Sequence, residues 1–558
     1  MIKKRLQERL DQCFAEGCQK GFWSDAAAGG YAVEEPKHEN QGDFSTNMAM
    51  VIAGREKKAT GKKVNPREIA GHLVELLDQH SDILEQVETA GPGFVNFFIK
   101  PSVWQSVVKL ICPADELYGL AAEKNGKRVL VEFVSANPTG PLSVGHGRQA
   151  VLGDCIARLL DAAGYEVDRE YYYNDAGRQM RVLGESTRSR YLELLGAPSD
   201  FPEDGYQGEY IYDIARELIE EKGDSLRDIE DVAPFKKKAE GCIFKDINGT
   251  LTRLGITFDK YYNEHSLYEE GHIDDVVARL RDKGLVYELD GAVWFKTTEF
   301  GQEQDRVIIK SSGEPTYRLP DIAYHREKFK RGYDWMVDIF GADHIATVPD
   351  VMAGIRALGY DDSKVTVVLH QFVTLMREGR QVKMSTRKAN FVTVDELLDE
   401  VGPDVMRFFF LMRKADSQLE FDLDLATSQS QENPVYYVQY GHARLSSILK
   451  MAEEKGAKQG TLDDAPLHLL VEPEELRILK GIAAYPSLVM HAANDLAPHR
   501  IVFFLQELAG LFHSYYNKHR FISNDADLTS ARLWLGHGLR IVLRNGLLLL
   551  GMTAPEKM

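Results

Sequence analysis

The stretch that decides the fold is RVLVEFVSANPTGPLSVGHGR, residues 128–148. RVLVEFVS is apolar and rich in valine, as a strand buried on both faces of a parallel sheet should be. ANPTGPLSVGHG follows as a Gly/Pro loop, and QAVLGDCIARLLDAAG (149–164) reads as a helix. Its Val151, Leu152, Cys155, Ile156, Leu159 and Leu160 recur at helical spacing, and Gly164 closes it. EVDREYYYN (166–174) resumes a strand, completing the strand–helix–strand unit of a doubly wound parallel sheet. The loop from Asn137 to Arg148 therefore lies where nucleotides bind in such sheets, at the N-terminus of a helix whose dipole favours phosphate. Pro138, Gly140, Pro141, Gly145 and Gly147 shape it, glycine letting a ligand approach the backbone. A Gly-rich turn alone is an ordinary connection; the full string after a buried strand is much more specific.

A second element is GRQVKMSTRKANFVT, residues 379–393. Lys383, Arg387 and Lys388 surround Met384-Ser385-Thr386 after the apolar run KVTVVLH (364–370). Charge runs are commonly solvated faces. Paired with the first motif, a cationic loop suits the triphosphate of ATP.

Composition bounds the rest. A chain of 558 residues, 44% hydrophobic and 27% charged, is globular and too long for one core. Its net charge of −18 argues against indiscriminate nucleic-acid binding but leaves local basic clusters possible. The first residues, MIKKRLQERLDQCFAEG, form an amphipathic helix pattern without the apolar centre of a signal peptide. The apolar run Ile541 to Leu550 is interrupted by Arg544 and Asn545 and is too short to span a bilayer. Five scattered cysteines without a Cys-x-x-Cys pair argue against disulfides and against zinc, so a cytoplasmic setting is expected.

Four regions separate. Residues 1–110 mix helices and short strands: Asn65-Pro66 starts a helix with Ile69, Ala70, Leu73, Leu76 and Leu77 inward, and Gly91-Pro92-Gly93 turns into the strand FVNFFI. Residues 127–395 hold the parallel sheet, which resumes in DWMVDIFG and KVTVVLH after a mostly helical insertion at about 195–300. A connecting helical segment fills 396–432, and 433–558 reads as helices only. In its best helix, HRIVFFLQELAGLFHSYYNKHR, spacing places Phe503, Phe504, Leu508 and Phe512 in the core. The fold class expected is an α/β Rossmann-type (doubly wound) catalytic core with an α+β N-terminal domain and an all-α C-terminal bundle.

SVGH (143–146) with KMS (383–385) far downstream resembles the paired His-Ile-Gly-His and Lys-Met-Ser-Lys-Ser signatures of class I aminoacyl-tRNA synthetases. Within that class the chain resembles the bacterial-type arginyl-tRNA synthetases. The resemblance is carried by VEFVSANPTGPLSVGHGR (131–148), YNDAGRQM (173–180), YQGEYI (206–211), PTYRLPDIAYH (315–325), GADH (341–344), VKMSTRKANFVT (382–393) and FDLDLATSQSQENPVYYVQYGHAR (421–444). The first signature histidine is Ser143 here, and the second signature lysine is Thr386.

The resemblance implies ATP-dependent ligation of L-arginine to tRNA(Arg) through an arginyl-adenylate, with activation requiring bound tRNA. It implies catalytic roles for His146, Ser143, Lys383 and Ser385, and ATP contacts from Pro138, Gly140, Gly145, His146, Gly147, Met384 and Arg387. Arginine would be held by Glu132, Asn137, Tyr317, Asp321 and His344: Asp321 and Glu132 on the guanidinium, Tyr317 packed against it, Asn137 and His344 at the α-amino end. Tyr516, Lys518 and Arg520 are the surface candidates for tRNA. Magnesium would arrive on ATP, with no zinc and no metal-ligating cage, and the enzyme would be a monomer. The alternatives are another class I synthetase, although cysteinyl enzymes would show zinc-ligand cysteines, and a non-catalytic tRNA-binding paralogue.

Overall fold

The computed structural model describes residues 2–36, 38–61, 63–78, 82–382, 392–457 and 459–558. Lys383, Met384, Ser385, Thr386, Arg387 and Lys388 lie outside the described residues.

The central sheet has five parallel strands in the order Val365–His370, Trp335–Gly341, Arg128–Glu132, Glu166–Tyr173, Lys260–Asn263. The order reverses beside Arg128–Glu132, so the loop after that strand opens at the switch point where such sheets bind ligands. The strand–helix–strand unit is as the sequence predicts, with one difference. The helix runs Val144–Ala162, so Gly145, His146 and Gly147 form its first turn and are not part of the loop. Capping and packing override the poor helix propensity of two glycines. One side of this helix packs on the sheet and the other on the Pro403–Leu411 and Pro473–Asn494 helices, which explains why it is apolar nearly all round.

Two sequence expectations are corrected. The insertion at 195–300 is interrupted by Lys260–Asn263, which returns to the central sheet as its edge strand. Val286–Leu289, Ala292–Phe295 and Arg306–Ile309 then make a small antiparallel sheet. The connecting segment is not all helical, because Leu419–Asp422 pairs in parallel with Val373–Arg377. The missed strands in those segments, Lys260–Asn263, Val286–Leu289, Ala292–Phe295 and Leu419–Asp422, are each four residues long, too short for alternation to stand out.

At the N-terminal end, a four-stranded antiparallel sheet that includes Phe94–Ile99 packs against helices. Pro66–Asp78 buries Ile69, Ala70, Leu73, Leu76 and Leu77 as expected. The other end is a bundle of Pro434–Glu454, Pro473–Asn494, His499–Lys518 and Ala526–Leu549. Leu508 and Phe512 are core, and Phe504 is half-buried. Phe503 is 47% exposed, against expectation, because the buried stripe runs through Ile501, Val502, Leu505 and Leu508 and passes it by. Among the described residues, no helix is long and apolar enough to cross a membrane.

One buried side chain joins these parts. Arg407 donates to the carbonyls of Leu550 (2.8 Å) and Leu254 (2.9 Å) and to the carboxylate of Asp154. Cys155, beside Asp154, donates its thiol to the same Leu550 carbonyl at 3.3 Å.

Candidate active site

The site begins with a kink. Immediately after Arg128–Glu132, Val134 and Ser135 take φ of 68° and 43°, conformations that a β-branched valine adopts only under constraint. Ser135 holds the kink: its hydroxyl donates to Glu132 Oε1 at 2.9 Å and accepts the Tyr172 N–H at 3.2 Å. Asn137 Oδ1 accepts from the Asn174 backbone at 2.9 Å, and Tyr210 donates to the Thr139 carbonyl at 2.8 Å. The loop is thereby pinned to two neighbouring segments.

A cleft of about 710 Å³ opens above it, walled by Asn137, Thr139, Gly140, Pro141 and His146 on one side and by Gln179, Asp204, Tyr206 and Tyr210 on the other. Pro138, Gly145 and Gly147, expected as nucleotide contacts, do not line this cleft. Pro138 is buried and does not wall the cleft; it shapes the loop. Gly147 faces the protein interior, where a Cβ would meet Met406 at 2.7 Å and Val394 at 2.9 Å, so its smallness serves helix packing. Among the described residues, a Cβ on Gly145 would meet only Ser143 Oγ, at 3.7 Å, although Gly145 itself does not wall the cleft.

Ser143 is the N-cap of the Val144–Ala162 helix. Burial pushes the His146 imidazolium toward its neutral form, although the nearby Asp343 carboxylate opposes this. His370, at the end of the next-but-one strand, is pushed down to about 4, chiefly by burial, with Arg148 and His146 acting in the same direction. The ends of the segment that lies outside the described residues are fixed here as well. Val382 N–H donates to Leu375 O at 2.9 Å, Thr393 pairs with Ser143, and Val394 N–H donates to Leu142 O at 2.8 Å. The chain returning from the Lys-Met-Ser motif is thus stitched to the start of the His146 helix.

Beside the cleft lies an acidic row. Asp338, Glu132 and Glu170 sit side by side across adjacent strands. The Arg318–Lys330 helix and Arg331 just after it supply the counter-charges. Lys328 Nζ, fully buried, donates to Glu132 Oε2 at 2.5 Å and to Asp338 Oδ1 at 2.6 Å. His325 Nε2 lies 2.8 Å from Asp338 Oδ2. Arg331 and Tyr324 donate to Glu170 at 2.5 Å. Glu132 is therefore 2% exposed, with one oxygen on Ser135 and the other on Lys328, where a place on a guanidinium is expected from the sequence. Aligned carboxylates in a sheet interior need internal cations, and the sequence holds the clue: Asp321, His325 and Lys328 are at i, i+4 and i+7, on one helical face.

Asp321 is different. Its carboxylate has no hydrogen-bond or ion-pair partner among the described residues. Burial pushes it up to about 7; Glu132 and Glu264 push the same way, while His325 and Lys328 pull back. Glu264 is also raised, by burial first, and is held by Tyr172 at 2.8 Å and by Asn174 Nδ2 at 2.7 Å. Sequence reading missed Glu264, which lies in a polar stretch without periodic signal, and did not single out Tyr172 or Asn174 within EVDREYYYN.

The other expected arginine contacts are not brought together. Tyr317 is 87% exposed at the start of the Arg318–Lys330 helix, because its side chain precedes the helix's buried face. His344 is exposed in the turn Ala342–Ala346, its ring stacked on Phe340 at 5.3 Å, and no hydrogen bond joins it to Asn137.

On the bundle, Arg444 lies over Tyr516 (4.2 Å to the ring centre) and Tyr440 (5.2 Å), and Tyr440 stacks on Tyr436 at 5.8 Å. Lys518 is exposed but paired with Glu474 at 2.6 Å, and Arg520 is exposed. This aromatic and basic face has the makings of a single-stranded nucleic-acid surface.

The chain is similar to known proteins over its whole length. Residues 106–409 match the catalytic domain of class I tRNA synthetases (R), 1–99 the arginyl-tRNA synthetase N-terminal domain, and 438–558 the DALR anticodon-binding domain. The arginine–tRNA ligase of Desulfotalea psychrophila is 64% identical over 558 residues, all of both chains. That of Salinibacter ruber is 49% identical, covering 94% of this chain and 95% of its own. The fold is that of the arginyl-tRNA synthetase of Thermus thermophilus, with a TM-score of 0.76 over 100% of both chains at 22% identity. The chain belongs to the arginyl-tRNA synthetase family of class I aminoacyl-tRNA synthetases.

Proposed function

We propose that this chain ligates arginine to tRNA in two steps on the cleft above the Val134–Ser135 kink. The arginine carboxylate attacks the α-phosphorus of ATP, forming arginyl-adenylate and expelling pyrophosphate. The 2′-hydroxyl of the terminal adenosine then attacks the activated carbonyl and releases AMP. Neither step asks the protein for a covalent bond, so its part is positioning and charge stabilisation.

The observation that carries the arginine assignment is Asp321, an enclosed carboxylate whose neighbours Lys328 and His325 are already committed to Glu132 and Asp338. A bound guanidinium supplies the missing cation and the donors it needs. Glu264, fixed by Tyr172 and Asn174, adds acidity to the same pocket. His146 donates to the ATP phosphates from the mouth of the cleft, and Gly145 leaves room for the nucleotide. Lys383 is the cation assigned to the departing pyrophosphate. Magnesium enters with ATP and neutralises phosphate charge. The Tyr436–Tyr440–Arg444–Tyr516 face receives tRNA bases.

Incorporation of labelled amino acid into tRNA tests the reading. Arginine should be incorporated, and lysine and glutamine should not, because each leaves the acid pocket without a planar cationic partner. Comparable lysine charging, or none with arginine, would overturn it.

A further inference from the structure

A serine at position 143 replaces a signature histidine, and its hydroxyl is expected to reach the triphosphate. Its contacts run the other way. Ser143 has extended backbone (φ −78°, ψ 163°) just before the helix, and both of its polar groups turn onto His146. The Ser143 N–H donates to His146 Nδ1 at 3.2 Å, the Ser143 Oγ lies 3.2 Å from the same nitrogen, and the hydroxyl oxygen accepts the His146 N–H at 3.5 Å. This is a reciprocal capping box with histidine in the place usually taken by glutamate or glutamine.

The consequence is chemical. An Nδ1 that accepts a backbone N–H carries no proton, so the neutral ring holds its one N–H on Nε2. Nε2 has no hydrogen-bond partner among the described residues, and His146 walls the cleft while Ser143 does not. Burial favours that neutral ring, which makes the choice of tautomer matter. The arrangement is also braced from behind. Ser143 pairs with Thr393, itself the cap of the Val394–Val401 helix, whose own box joins Thr393 to Glu396 at 2.7 and 3.1 Å.

We infer that Ser143 is a positioning residue for arginine activation: it does not touch ATP, but holds the His146 ring so that its Nε2–H faces the phosphates. A histidine at 143 would be a poor helix cap and would release this hold. The inference rests on the reading that His146 addresses ATP, and the experiment separates the two.

ATP–pyrophosphate exchange would be measured with tRNA present for Ser143→Ala, Ser143→Thr, Ser143→His, His146→Ala and the double variant Ser143→Ala/His146→Ala. Ser143→Ala should lower kcat about tenfold with the ATP KM within about twofold of native. Ser143→Thr, which keeps a capping hydroxyl, should recover most of kcat, and Ser143→His should gain nothing. In the His146→Ala background, Ser143→Ala should have no further effect, since its action passes through the missing ring. A purely structural serine would lower kcat equally in both backgrounds, and that result overturns the inference. So would an ATP KM that rises in step with the fall in kcat, or a several-fold gain in Ser143→His. His146→Ala with native kcat would instead remove the assignment of His146, a failure visible in that single variant.

Discussion

With Lys328 and His325 spoken for, Asp321 is protonated below about pH 7 in the free protein and charged above it. A guanidinium binds the charged form, so the arginine KM should fall as pH rises through about 7. Asp321→Asn should flatten that dependence and raise the arginine KM on the order of a hundredfold with little change for ATP; equal effects on both substrates would sink the assignment. Stability runs the opposite way. The unfolded chain ionises this group first, from the ordinary carboxylate range near 3.8, so its charge weighs against the native state increasingly up to about 7. The same variant should therefore melt higher than the native protein at about pH 8 and no differently at about pH 4, as read by calorimetry. Sequence reading singles out Asp321 because it sits in a motif. The engagement of Glu132 was not legible there, since Lys328 stands 196 residues away and only the fold brings the two together.

The elements of the nucleotide site were legible from the valine-rich strand and the Gly/Pro string, except for where the helix starts. Sequence spacing begins it at Gln149, but the chain winds from Val144 because Ser143 caps it and Gly147 lets it press against its neighbours. The two glycines of that turn should then separate by experiment. Gly147→Ala drives a methyl into Met406 and Val394 and should destabilise the protein by about 1–3 kcal/mol in urea unfolding. Gly145→Ala meets almost nothing among the described residues and should leave stability within about 0.5 kcal/mol while raising the ATP KM. Identical behaviour of the two variants would contradict this division of labour. The strands Lys260–Asn263 and Leu419–Asp422 escaped the sequence for a different reason: pairing partners define them, and those lie far along the chain.

At the scale of the whole molecule, Arg407 ties the nucleotide-site helix, the end of the Ala233–Arg253 helix and the turn after the last bundle helix into one knot. Arg407→Met should lower stability by about 3 kcal/mol in chemical denaturation, because Asp154 stays buried with one cation fewer. Arg158, 2.7 Å from Asp154, keeps the loss at the low end of that range. Adding Asp154→Asn to that variant should recover part of the loss; a further fall would refute the pairing as its cause.

The knot also sets an order in time. Leu550, whose carbonyl binds both Arg407 and Cys155, is synthesised 395 residues after Cys155. At roughly 5–20 residues per second, the bundle-facing side of the nucleotide-site helix waits tens of seconds on the ribosome for its last partner. The catalytic core of this chain is therefore completed from its far end, and a nascent chain stalled before residue 550 would leave both Cys155 and Arg407 without the carbonyl that joins them.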